Sequence, residues 1–158
     1  MSAPARIVRC PHCGRKNRVP PTGQGHPTCG NCRHPVPWIV DADDADFTET
    51  AERASVPVLV DLWATWCGPC RMVSPALEKV AADLAGKIKL VKVDVDAAPG
   101  LARRFQVMAV PTLLVLERGE AIARQAGAAN APALHRWVQE ALASRPGHEP
   151  ASANGPGT

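Results

Sequence analysis

The six cysteines fall into three pairs of one spacing, CPHC at 10–13, CGNC at 29–32 and CGPC at 67–70. Two cysteines separated by two residues can grip a metal through their thiolates, or can pass electrons as a dithiol and a disulfide. The surroundings separate these uses. Fifteen residues lie between Cys13 and Cys29, giving C-x2-C-x15-C-x2-C, which falls within the range of four-cysteine zinc sites. Each pair can turn tightly and aim two thiolates inward, with Gly14 and Gly30 as the residues of permissive backbone. Four thiolates close a tetrahedral site and leave no position for water or substrate. One structural Zn²⁺ on Cys10, Cys13, Cys29 and Cys32 is therefore expected, with His12 and His34 as bystanders.

Cys67 and Cys70 have no further cysteines with which to complete a metal site. They follow the apolar run VPVLVDLW at 56–63 and precede Val73, Leu77, Val80, Ala81 and Leu84 at helical spacing. That places them where a buried strand meets an amphipathic helix. The unpaired N–H groups and the dipole at a helix N-terminus favour a thiolate, so Cys67 is the expected nucleophile. Cys70, one turn on and on the same face, is placed to close a disulfide once Cys67 has reacted. Pro69 fits the first helical turn, and Gly68 keeps the approach to the sulfur open. Asp61 interrupts the apolar run. A carboxylate there destabilises unless paired or protonated, which makes it a candidate acid and base.

The elements that must position these residues are legible as patterns. IKLVKVDV at 88–95 and TLLVLE at 112–117 read as further strands, with a turn at Arg118-Gly119-Glu120 leading to another strand. Leu134, Trp137, Val138, Ala141 and Leu142 mark a second amphipathic helix. The order describes an α/β unit with a mixed sheet. Residues 1–35 have too few apolar side chains for a core of their own, so metal binding must substitute for it. Residues 36–143 form the main domain, and the Pro/Gly-rich stretch 144–158 is expected to be disordered.

Of the whole chain, 46% is hydrophobic, enough to bury a core, yet the N-terminus carries no signal-like apolar run and no stretch reaches the roughly 20 apolar residues of a membrane span. A cytosolic protein is expected. Charge is unevenly spread: residues 1–40 carry Arg6, Arg9, Arg15, Lys16, Arg18 and Arg33 and no acid, although the net charge is only +3. These cations offset the −2 left by four thiolates on Zn²⁺, a local balance favoured over a nucleic-acid contact.

WCGPC, with VDLWAT before it and RM after it, resembles the active-site motif of the thioredoxin family, and the resemblance extends over roughly residues 36–143. Asp61 six residues before the first cysteine, Pro75 in the helix and Lys92 on the next strand match family positions, as do Pro111 in VMAVPTLLV and Gly127. With four cysteines in front, the chain resembles the zinc-containing bacterial thioredoxins of the thioredoxin 2 type. It departs from them in a longer C-terminal tail and in Leu62, where an aromatic residue is common. The resemblance implies a thioredoxin fold with a cis bond before Pro111. It also implies an apolar docking surface of Trp66, Val110, Pro111, Gly127 and Ala128, with the Val110 backbone pairing to a substrate strand. Core packing for Trp66, a turn for Gly127 and an ordinary trans bond before Pro111 are the plainer alternatives; for Trp63, core packing is preferred. Lys92 is the expected partner of Asp61.

The reading that follows is a monomeric cytosolic protein-disulfide reductase. It binds no organic cofactor, cycles through a Cys67–Cys70 disulfide, and is re-reduced by an NADPH-dependent thioredoxin reductase. A rival of another class is a basic zinc ribbon that recruits nucleic acid or a protein, with the larger domain as scaffold. The ribbon lacks aromatic residues to stack on bases, which counts against that rival. A ribbon that releases zinc when its thiolates oxidise is a third use, compatible with the first.

Overall fold

A computed structural model describes residues 5–144; the expectation of disorder after Ser144 concerns residues outside that range. Seven strands and three helices follow one another as β1 (Arg6–Arg9), β2 (Lys16–Val19), β3 (Ile39–Ala42), β4 (Val58–Trp63), α1 (Gly68–Asp83), β5 (Lys89–Asp94), α2 (Pro99–Arg104), β6 (Thr112–Glu117), β7 (Glu120–Ala126) and α3 (Ala131–Ala143), with one π-helical turn at Thr48–Glu52. β3 to β7 form one sheet in the order β3-β5-β4-β6-β7. β3, β5 and β4 run parallel, whereas β6 and β7 join antiparallel, so the sheet is mixed as expected.

β4 lies at the centre because VLVDLW is apolar on both faces, and its first five residues are buried. α1 turns Val73, Leu77, Val80 and Ala81 onto the sheet and packs against α3, which contributes Leu134, Val138 and Ala141. The β6–β7 hairpin closes on Arg118 and Gly119, with φ of 54° and 83° and Glu117 paired to Glu120. The turn is thus two residues rather than three, because both central residues adopt the left-handed conformation that a tight hairpin requires.

Three elements of the main domain carried no clear sequence signal, and neither did β1 and β2. β3 is a four-residue edge strand, and α2 has only six residues, too short for a 3.6-residue period to register. α2 is capped from a distance: Asp44 accepts from the N–H groups of Gly100 and Leu101, at 2.9 and 2.8 Å. The π-helical turn is likewise one turn long.

β1 and β2 pair as a separate two-stranded hairpin, yet Val8, Val19, Cys10 and Cys29 join the same buried cluster as Trp38, Val40 and Leu90. Trp38 Nε1 donates to the Pro20 carbonyl at 2.7 Å, and the buried Lys89 ammonium donates to the carbonyls of Pro21 and Thr50 while lying 4.3 Å from the Trp38 ring. The N-terminal segment therefore rests on the main sheet.

Candidate active site and metal centre

Cys67 is the N-cap of α1, with φ −89° and ψ 111°, and Cys70 is in the first turn, so the strand-to-helix junction dictates their proximity. The two are joined as a disulfide with Cα atoms 5.3 Å apart, and both are 3% exposed. Cys67 Sγ receives the Cys70 backbone N–H at 3.1 Å, a helix-terminal donor that favours negative charge on that sulfur. Pro69 occupies the first turn, where a missing N–H leaves no helical bond unmade. The space beside Gly68 is open: a Cβ there would meet no atom within 4 Å.

Across from the pair, the Val110 carbonyl stands 3.6 Å from Cys67 Sγ, and the Val110–Pro111 bond is cis. Pro111 O accepts from Gly127 N at 2.9 Å, which fixes Gly127, at φ 91°, beside the same loop. Trp66 is 67% exposed and oriented by a bond from its Nε1 to Asp96 Oδ2 at 2.8 Å, a contact without a sequence signal. Gly127 and Ala128 are exposed, Val110 is half-buried and Pro111 is buried. Trp66, Gly68 and Pro69 adjoin the disulfide along the chain and are exposed, Val110 faces it, Gly127 is tied to the Val110–Pro111 loop with Ala128 next to it, and buried Pro111 offers no side-chain surface.

Beneath the pair, Asp61 on β4 faces Lys92 on β5 in register, with Oδ2 to Nζ at 3.9 Å. Lys92 also bonds Ser74 Oγ and lies 3.6 Å from Glu78. Asp61 is 1% exposed, and its Oδ1 has no hydrogen-bond partner. Burial pushes its pKa up to about 6, against the pull of Lys92 and with a small push from Glu78. A cavity of about 230 Å³ joins Asp61, Cys70 and Lys92. A carboxyl group that changes protonation near neutrality, beside a buried sulfur, can move a proton to or from it.

The other four cysteines converge: their sulfurs all lie within 4.8 Å of one another, Cys10 to Cys32 at 3.5 Å and Cys13 to Cys29 at 3.6 Å. Tetrahedral zinc with Zn–S near 2.3 Å places sulfurs about 3.8 Å apart, so the donor set fits. Backbone N–H groups are aimed at the sulfurs, from His12 and Cys13 to Cys10 and from Asn31 to Cys29. N–H groups of Cys32 and Asn31, with the Asn17 amide, lower the Cys29 thiol, whereas Cys32, against the pull of the His34 backbone, is raised by burial and the neighbouring sulfurs, as expected of four thiols crowded together. His12 and His34 stack on each other at 3.7 Å, and the convergent set holds cysteines alone. One expectation is corrected. Gly14 has φ 81°, but the left-handed residue of the second turn is Arg33, at φ 69°, and not Gly30. Gly14 and Arg33 occupy the same place, four residues after Cys10 and Cys29, and donate to those residues' carbonyls.

A five-stranded mixed sheet flanked by helices, a cysteine pair at a helix N-terminus and a cis-proline loop opposite it define a dithiol–disulfide protein. A model of the thioredoxin family matches residues 38–140. Thioredoxin C-3 of Corynebacterium nephridii is 34% identical over 145 residues, covering 90% of this chain and 99% of that protein. A thioredoxin of Mycolicibacterium smegmatis is 45% identical over 105 residues, covering 65% of this chain and 94% of its own. The bifunctional thioredoxin reductase/thioredoxin of Mycobacterium leprae is 42% identical over 103 residues, 65% of this chain and 22% of that protein. The chain belongs to the thioredoxin family and is a protein-disulfide oxidoreductase. No helix among the described residues is long and apolar enough to cross a membrane.

Proposed function

We propose that the chain reduces disulfides of cytosolic proteins as a monomer, with a thioredoxin domain at 36–143 and a zinc ribbon at 1–35 of the thioredoxin 2 type. The observation that carries this reading is the Cys67 sulfur held between a helix N-terminal N–H and the Val110 carbonyl, above a buried carboxyl. Cys67 attacks a substrate disulfide as thiolate; a Cys67–substrate bond forms, and one substrate thiolate leaves. Asp61, steadied by Lys92, takes the Cys70 proton, and Cys70 attacks Cys67 Sγ. The Cys67–Cys70 bond forms and the substrate bond breaks, so two electrons pass to the substrate and its second sulfur leaves with a proton. The substrate chain pairs with the backbone at Val110 and rests on Trp66, Gly68, Pro69, Gly127 and Ala128, with buried Pro111 shaping the loop that presents Val110.

Re-reduction is assigned to a thioredoxin reductase that uses NADPH. The Mycobacterium leprae relative, whose name joins both activities in one protein, supports that pairing. Zn²⁺ would be held by Cys10, Cys13, Cys29 and Cys32 and would supply a structural cross-link in place of a core. An alignment over 90% of this chain must take in Cys29 and Cys32, which supports a relative of like organisation. The test is reduction of insulin disulfides with NADPH and a bacterial thioredoxin reductase, beside metal analysis. NADPH oxidation that depends on the chain, with one zinc per molecule, is expected; no turnover, or no metal after anaerobic purification, contradicts the respective part.

A further inference from the structure

Four charged side chains of alternating sign lead from the ribbon to the buried carboxyl. Arg6 Nη1 on β1 lies 3.6 Å from Asp41 Oδ1 on β3. Asp41 pairs in register with Lys92 on β5, and Lys92 pairs in register with Asp61 on β4. All four residues line the cavity that also contains Cys70. Among its lining residues are three whose buried polar atoms have no hydrogen-bond partner, Asp61 Oδ1, Trp63 Nε1 and Arg6 Nη1. A polar cavity of about 230 Å³ has room for several waters to join such atoms. Asp61, Cys70 and Lys92 are its buried wall, while Asp41 and Arg71 are exposed and Arg6 is part-exposed, so the cavity opens outward past the ribbon.

We propose that Arg6 is a positioning residue for the resolving step: acting through Asp41 and Lys92, it keeps Asp61 in the ionised form that accepts the Cys70 proton. This rests on the roles given above to Cys70 and Asp61. Two further charged groups near the cavity come from α1, of which only Arg71 lines it. Arg71 is committed to the Thr65 carbonyl at 2.9 Å, and Glu78 stands 3.6 Å from Lys92. Without Arg6, Asp41 is left unopposed; it draws on Lys92 and adds negative potential, both of which favour the protonated carboxyl. Without the Asp41 charge, Arg6 and Lys92 both act on Asp61, which favours the ionised carboxylate. The two substitutions thus act in opposite directions, a pattern that simple loosening of the ribbon does not produce.

The experiment is single-turnover reduction of an aromatic disulfide by the full, metal-replete chain between pH 5 and 9. Release of the first aromatic thiol reports attack by Cys67, and release of the second reports resolution by Cys70. Arg6→Gln should move the acid limb of the second phase up by about a few tenths of a pH unit, and Asp41→Asn should move it down, leaving the first phase in place. Arg6→Lys should restore most of the parental profile and serves if the glutamine variant does not fold. In an Asp61→Asn background, Arg6→Gln should add no shift. Profiles that superimpose, or shifts of one sign in both variants, overturn the inference. Release of the second thiol at the parental rate by Cys70→Ser would instead overturn the resolving role of Cys70, and the inference with it.

Discussion

At the residue scale, burial makes Asp61 costly to stability, and the proton transfer proposed for it gives that cost a use. Its folded pKa is about 6 against an ordinary 3.8, so between those values the folded state binds more protons than the unfolded state. Stability therefore falls as pH rises through that window and stays reduced above it. Asp61→Asn should gain roughly 1–2 kcal/mol at pH 7.5, lose that part of the pH dependence, and slow resolution while Cys67 still attacks. Denaturant unfolding at pH 4, 6 and 7.5 checks this; a variant less stable than its parent at pH 7.5 would mean the carboxylate is well paired. A second residue effect lies in the cysteine turns. The left-handed backbone disfavours a side chain by about 1 kcal/mol, so Arg33→Gly should stabilise and Gly14→Ala destabilise by about that much. Unfolding midpoints read both, and equal effects of one sign would refute the equivalence of the two positions.

At the element scale, the junction of β4 and α1 was legible in the sequence because an apolar run, a cysteine pair and a helical period abut there. β3 and α2 were not, since a four-residue edge strand and a six-residue helix are specified by tertiary contacts, among them the Asp44 cap from 56 and 57 residues away. The same applies to Arg33, whose φ no local residue preference announces, and to Arg6, whose reach to Asp41 depends on how the ribbon packs. Lys89 was hidden for a related reason: a lysine in a strand reads as a solvent-facing residue, yet here it bridges ribbon and sheet. Burial lowers its pKa to about 8 from 10.5. The unfolded state then binds more protons between those values, so this group's contribution to stability rises with pH across that window. Lys89→Met should lose about 2–4 kcal/mol by stranding two carbonyls, and the gap to the parent should widen from pH 8 to 10. A gap that stays constant from pH 8 to 10 would show that Lys89 keeps an ordinary pKa, and one that narrows would show a raised one.

At the scale of the whole molecule, the ribbon and the sheet share one buried cluster, so the metal centre and the fold should not be independent. Removing the zinc proposed for the four cysteines with a chelator under reducing conditions should lower the main thermal transition by several degrees, rather than produce a separate early one. An unchanged midpoint would make the ribbon an appendage. The proposed chemistry rests on a division of labour between Cys67 and Cys70, which mass spectrometry of covalent adducts can read. Cys70→Ser and Cys67→Ser variants are each reduced, mixed with a disulfide-containing protein and quenched in acid. A one-to-one mixed disulfide through Cys67 is expected in the Cys70→Ser variant and none in the Cys67→Ser variant. Adducts that accumulate on Cys70 when Cys67 is serine, with none on Cys67 when Cys70 is serine, would contradict it.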